Sequence, residues 1–140
     1  MREILFRGKR TDNGEWVYGY YTKARYYLNG EEMHIIFAPD GEAFPGCEFP
    51  EYEEVIPETV GQYTGLTDRN GTKIFEGDIV KWTDSLYKVV FERRYGTAYF
   101  GIKISDFETW YFCNSCAANL MEIAGNIYDN PELLEVKQNG

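Results

Sequence analysis

Residues Val60–Val80 read VGQYTGLTDRNGTKIFEGDIV, and the architecture follows from how this stretch turns. Two short apolar runs flank Asp68-Arg69-Asn70-Gly71. An aspartate opening such a connection accepts hydrogen bonds from the backbone ahead of it, and Asn70 and Gly71 tolerate the positive φ of tight hairpins. Val60, Gln62 and Tyr63 lead in, and Ile74 and Phe75 lead out. Glu76-Gly77-Asp78 then turns the chain into a further strand, Ile79–Trp82. These residues are turn formers between strands: they specify a scaffold and carry no chemistry by themselves.

Working outward, the same grammar recurs. Arg2–Arg7 alternates in the manner of a half-buried strand, Thr11-Asp12-Asn13-Gly14 turns, and Trp16–Tyr21 is rich in aromatic and β-branched residues. Phe6, Gly8, Asn13, Gly14, Val17 and Tyr18 match Tyr63, Gly65, Asn70, Gly71, Ile74 and Phe75 at one constant offset. A duplication or convergence of hairpin chemistry accounts for this, and convergence suffices for most of the matches. Arg25–Leu28 and Met33–Phe37 read as another pair across Asn29-Gly30. Pro39 to about Glu54 reads as a long acidic loop whose Phe44, Phe49 and Tyr52 face outward or fold back as a lid. Beyond the central hairpin, Asp78–Thr83, Leu86–Glu92, Thr97–Ile104 and Thr109–Phe112 read as strands. Ser115–Met121 and a turn capped by Asn130 with Pro131 at its first position read as short helices. The fold expected is mainly β: N-terminal β-hairpins and the acidic loop over 1–58, a small SH3-like barrel over 59–136, and a frayed tail over 137–140.

The run Val60–Val80, with Gly125-Asn126-Ile127-Tyr128-Asp129-Asn130-Pro131-Glu132-Leu133, resembles the YopX family of small phage and prophage proteins. Arg2-Glu3-Ile4-Leu5-Phe6-Arg7 and Trp16-Val17-Tyr18-Gly19 fit the family's usual opening. The segments 23–52 and 93–120 carry none of the resemblance. It implies a phage-related, mostly β protein of uncharacterised function and supplies no catalytic residues.

At 140 residues, 44% of them apolar, the chain suffices for one ordinary domain or two very small ones sharing a core. No apolar run reaches the roughly 20 residues that span a bilayer, and Met1-Arg2-Glu3 lacks signal-peptide anatomy, so a cytoplasmic protein of a bacterial host is expected. The net charge is −9, and residues 1–60 hold 12 acidic against 6 basic side chains. Binding built on phosphate neutralisation needs the opposite sign, so nucleic acid is a secondary expectation.

The candidate chemistry is sparse. Cys113-Asn114-Ser115-Cys116 has CxxC spacing, but a zinc site would need Cys47 and His34, both remote in sequence, and a thioredoxin-like motif would need an α/β context. Ordinary reduced thiols are expected. Asp68, Glu76 and Asp78 form a carboxylate cluster suited to acid–base work or a cation, though each also has a turn role. Gly61, Gly65, Gly71 and Gly77 read as turns and bulges rather than a phosphate loop, since no helix follows them. Tyr18, Tyr20, Tyr21, Tyr26 and Tyr27 crowd the first part, where Glu48, Glu51, Glu53 and Glu54 concentrate charge. Arg7, Lys9 and Arg10, with Lys23 and Arg25, form the local basic cluster. The function expected is a non-enzymatic protein-interaction module without cofactor or metal, able to self-associate, that presents tyrosines to a basic partner. The alternatives are a single-stranded nucleic-acid binder stacking bases on exposed aromatics, or a metal-binding or hydrolytic protein centred on Asp78 or Cys113–Cys116.

Overall fold

The structure, a computed structural model, describes residues 3–25, 28–38, 52–94, 96–105, 108–111 and 118–135. Its strands are β1 (Phe6–Lys9), β2 (Trp16–Arg25), β3 (Glu32–Phe37), β4 (Tyr52–Glu54), β5 (Gly61–Thr67), β6 (Lys73–Phe75), β7 (Asp78–Trp82), β8 (Ser85–Arg94), β9 (Thr97–Ser105), β10 (Glu108–Tyr111) and β11 (Glu122–Asn126). A 3-10 turn at Pro57–Thr59 and a one-turn helix α1 (Glu132–Glu135) accompany them. The protein is mainly β, with two antiparallel sheets ordered β4-β3-β2-β1-β5-β6 and β10-β9-β8-β7-β11. Among the described residues neither sheet closes into a barrel. The second ends on β10 and β11, where the sequence led to a small SH3-like barrel over 59–136. The chain divides into two compact units, Met1–Tyr63 and Thr64–Gly140, the division falling inside β5.

In the first unit β1 and β2 pair from Phe6↔Gly19 to Lys9↔Trp16. β2 then pairs with β3 from Tyr20↔Phe37 to Arg25↔Glu32. β2 is one strand through Arg25, where the sequence suggested a break after Tyr21. Thr22-Lys23-Ala24 contains no glycine or proline, and the ladder with β3 keeps it extended. The expected turn at Asn29-Gly30 is present: the Glu31 N–H donates to Asn29 Oδ1 at 2.9 Å, and Gly30 has φ +72°. Tyr52–Glu54, expected as the end of the loop, is β4 and pairs with β3 through Phe37↔Tyr52 and Ile35↔Glu54. The chain then returns to β1 by one bridge, Arg10↔Val55, where the Ile56 N–H donates to Lys9 O at 2.8 Å and Thr11 N–H to Glu54 O at 3.1 Å. Val55 and Ile36 are buried beneath it.

The two hairpins that echo each other in sequence turn differently. Asp68 N–H donates to Thr72 O, whereas Arg10 N–H donates to Glu15 O, a loop one residue longer. Gly65 is at φ +89°, while Gly8 is not at positive φ. Shared turn chemistry therefore explains the echo without a copied structure. At the central turn Gly71 has φ +81°, as its sequence position demands, and a Cβ there would meet nothing within 4 Å. Gly71→Val is expected to cost about 1–3 kcal/mol from backbone strain alone. An unchanged denaturation midpoint would show the turn to be misread.

The second unit buries one face of its sheet. Val89 faces Ile102 across β8–β9, and Val80 of β7 faces Tyr87 one pleat along; Ile74, Ala118 and Met121 join them, with Trp82, Ile104 and Ile123 around them. Side chains of this kind contribute about 1.5–3 kcal/mol each when fully buried. β11 was not anticipated, because Glu-Ile-Ala-Gly-Asn lacks the β-branched density of a strand. It is held by pairing with β7 from Glu122↔Lys81 to Asn126↔Asp78. Asn130 stands at the expected start of the last helix, its carbonyl accepting from the Leu133 N–H at 3.1 Å, while its Oδ1 turns back to accept from the Asn126 N–H at 3.2 Å; α1 packs on β8.

Candidate functional site

Of the carboxylates singled out in the sequence, Asp68 and Asp78 accept hydrogen bonds from the backbone. Asp68 is 3% exposed; its Oδ1 accepts from the Asn70 and Thr72 N–H groups at 2.8 and 3.0 Å, and its Oδ2 from the Ile123 N–H at 3.0 Å. Burial alone would raise its pKa, but those three donors, with the nearby Arg69 charge, hold it below the usual carboxylate value. Asp78, also buried, accepts from the Phe75 N–H at 2.7 Å and closes the turn around Gly77. Glu76 borders a separate shallow cleft of about 230 Å³ with Lys88 and Lys103. Among the described residues no three His, Cys, Asp or Glu side chains converge as metal ligands. Cys47, Cys113 and Cys116 lie outside the described residues. His34 is engaged within its own sheet, its Nδ1 2.6 Å from the Tyr21 hydroxyl and its Nε2 3.2 Å from Glu32. Burial, then the Glu32 charge, raises the Tyr21 pKa, so this phenol keeps its proton.

The surplus aromatics are what the fold of the first unit gathers. A cleft of about 410 Å³ is lined by Arg10, Trp16, Val17, Tyr18, Ile36, Ala38, Tyr52 and Glu53. It lies where β3 ends and, among the described residues, the first residues of β2 pair with β1 only. Ile36 is buried at its floor; Tyr18 and Tyr52 are exposed at its walls, 45% and 46%. Tyr20 continues the aromatic surface: it faces Phe37 across β2–β3, Phe37 faces Tyr52 across β3–β4, and the latter two rings lie 5.9 Å apart. Trp16 is braced from β1, with the Arg7 guanidinium 4.5 Å and the Lys9 ammonium 5.5 Å from the ring centroid.

The rim is acidic and its cation is committed. Arg10 holds Asp12 through two hydrogen bonds of 2.9 and 2.6 Å and approaches Glu53 at 3.4 Å. The Arg10 hydrogen bond depresses the Asp12 pKa, so this carboxylate stays charged at any physiological pH. Glu15 and Glu54 are exposed nearby in sequence. Of the basic cluster, then, Arg7 is buried against Trp16 and Arg10 is occupied by acids, while Lys23 and Arg25 are exposed on β2. The sequence singled out Tyr18, Tyr20 and Tyr52 but missed Trp16 and Ile36. Trp16 was legible as the start of the alternation with Tyr18 and Tyr20; Ile36 was not, since only the β2–β3 register places it here. Tyr26, Tyr27, Glu48 and Glu51 lie outside the described residues.

The family model for YopX protein matches residues 5–135. The chain belongs to the YopX family. No curated protein matches this YopX-family chain. Among solved structures it is similar to protein EF1440 from Enterococcus faecalis, at 24% identity and a TM-score of 0.52 over 96% of this chain and 99% of that one. That likeness concerns the fold. Among the described residues no helix is long and apolar enough to cross a membrane.

Proposed function

We propose that this YopX-family chain is a non-enzymatic protein-interaction module of phage or prophage origin. Its SH3-like part would serve as scaffold, and the cleft of the first unit would dock an extended basic segment of a partner. The observation that carries this reading is the convergence of Trp16, Tyr18 and Tyr52 on one apolar-floored cleft beside Glu53. Aromatic side chains contribute contact area at low entropic cost, and a negative rim steers a positive partner toward them. The alternatives fare worse on the same residues. Base stacking wants a basic groove, and here the nearest arginines are buried or paired. Asp68 and Asp78 are consumed by backbone N–H groups.

The test is a pull-down from a bacterial host lysate with wild type and a Tyr18→Ala/Tyr52→Ala variant as parallel baits, their folding matched by circular dichroism. A basic protein retained by wild type and lost by the variant supports the reading; equal capture overturns it. With that partner, Glu53→Gln/Glu54→Gln is expected to slow association while leaving dissociation nearly unchanged, the difference shrinking as salt shortens the screening length below about 8 Å. Tyr52→Ala is expected to speed dissociation instead. Surface plasmon resonance at two salt concentrations separates the two effects, and equally fast association of the charge variant would end the steering idea.

A further inference from the structure

The arrangement around Trp16 narrows what the cleft takes. Its indole already has two cations close to the ring, Arg7 at 4.5 Å and Lys9 at 5.5 Å, both on the neighbouring strand. A third cation against the same ring would meet their repulsion, so Trp16, Tyr18 and Tyr52 do not form a cage for a lysine or arginine head group. They offer neutral aromatic faces over an aliphatic floor of Val17, Ile36 and Ala38. The negative charge lies to one side, at Glu53 and Asp12, where Arg10 neutralises only part of it.

Aromatic walls, an aliphatic floor and an acidic flank suit a ligand that is apolar along its length and cationic at one end. Polyproline II has that character. It is extended and prefolded, its rings pack flat on aromatics, and it brings no backbone N–H at proline that would need a partner in the cleft. Prefolding on both sides matters, because cation contacts hold Trp16 and the β3–β4 register holds Tyr52, so little side-chain freedom is lost on docking. Resting on the interaction reading above, we infer that this cleft binds a proline-rich polyproline II segment with arginine or lysine at the end lying against Glu53 and Asp12.

The experiment uses the full chain and a short proline-rich peptide ending in two arginines, followed by the indole N–H resonances of the three tryptophans in two-dimensional NMR. Trp16→Phe assigns the Trp16 signal. The expected result is a saturable shift of that signal, with Tyr52→Ala and Tyr18→Ala each weakening binding about tenfold or more. Glu53→Gln is expected to weaken it a few-fold, about as much as replacing the peptide's arginines by glutamine. Equal binding of a proline-free lysine–arginine peptide of the same charge would overturn the polyproline assignment. No peptide binding at all, with a lysate partner still lost on Tyr18→Ala/Tyr52→Ala, would overturn it too while leaving the interaction reading standing. A single-stranded oligonucleotide shifting Trp16 where the peptide does not would overturn both.

Discussion

Gly19→Ala is expected to lower stability by about 3 kcal/mol or more, a large share of what a small domain has. Gly19 is buried in β2, opposite Phe6 and next to the Tyr20↔Phe37 pair. A Cβ built on it falls onto the carbonyl oxygen of Phe37, and onto Ile36 behind it. Main-chain oxygen cannot rotate aside as a side chain can, so β2 and β3 must separate. Separation disturbs the Tyr21↔Ile36 pair and the burial of Ile36 with it. The control is Gly14→Ala in the exposed β1–β2 turn. Gly14 has φ +73° with open space around it, so only the left-handed backbone preference is lost, about 1–2 kcal/mol. Denaturant midpoints of the two variants against wild type measure the difference. Equal midpoints would mean that the strands do not approach at Gly19 as described. Because β2 and β3 also supply Trp16, Tyr18 and Ile36 to the cleft, Gly19→Ala should weaken partner binding as well.

What the sequence disclosed and what it hid separate by range. Asp68, Asn70 and Gly71 could be read as a turn because the bonds that make it, Asp68 Oδ1 to the Asn70 and Thr72 N–H groups, span two and four residues. The alternation Tyr87, Val89, Phe91 marked β8 for the same reason, since a strand's period is local. The cleft was half legible: aromatic excess in the first part pointed to a surface, but its shape depends on Ile36 and Tyr52 arriving from β3 and β4. No local pattern encodes that register. The close approach at Gly19 was equally hidden, as its collision partner lies on another strand. The extent of the acidic loop was overestimated at its end, because three residues pairing with β3 suffice to make β4 and leave almost no periodic trace. The barrel over 59–136 was inferred from strand spacing, and spacing is shared by open sheets and barrels alike.

Asp68→Ala is expected to destabilise the second unit by about 3 kcal/mol or more, and Asp68→Asn by about 1–3 kcal/mol. The carboxylate is buried and accepts three backbone N–H groups, one of them from Ile123, 55 residues away. It joins the central hairpin to β11, beside the Arg69 N–H to Met121 O bond at 2.9 Å. Alanine strands all three donors. Asparagine keeps an oxygen for Asn70 and Thr72 but turns an NH2 toward the Ile123 N–H, opposing two donors. The effect has a pH signature with a definite sign. Asp68 titrates below its ordinary value in the folded chain, so the unfolded chain binds its proton first as pH falls. The stability contributed by the charge is complete above the unfolded carboxylate pKa, about 4, and is lost as pH drops through the lower folded value. The gap between wild type and Asp68→Asn should therefore be widest near neutral pH and narrow progressively below about pH 4. Denaturant unfolding at pH 7 and at successive acid steps measures it. A gap that stays constant across that range would show that hydrogen-bond geometry, and not the carboxylate charge, secures the hairpin to β11.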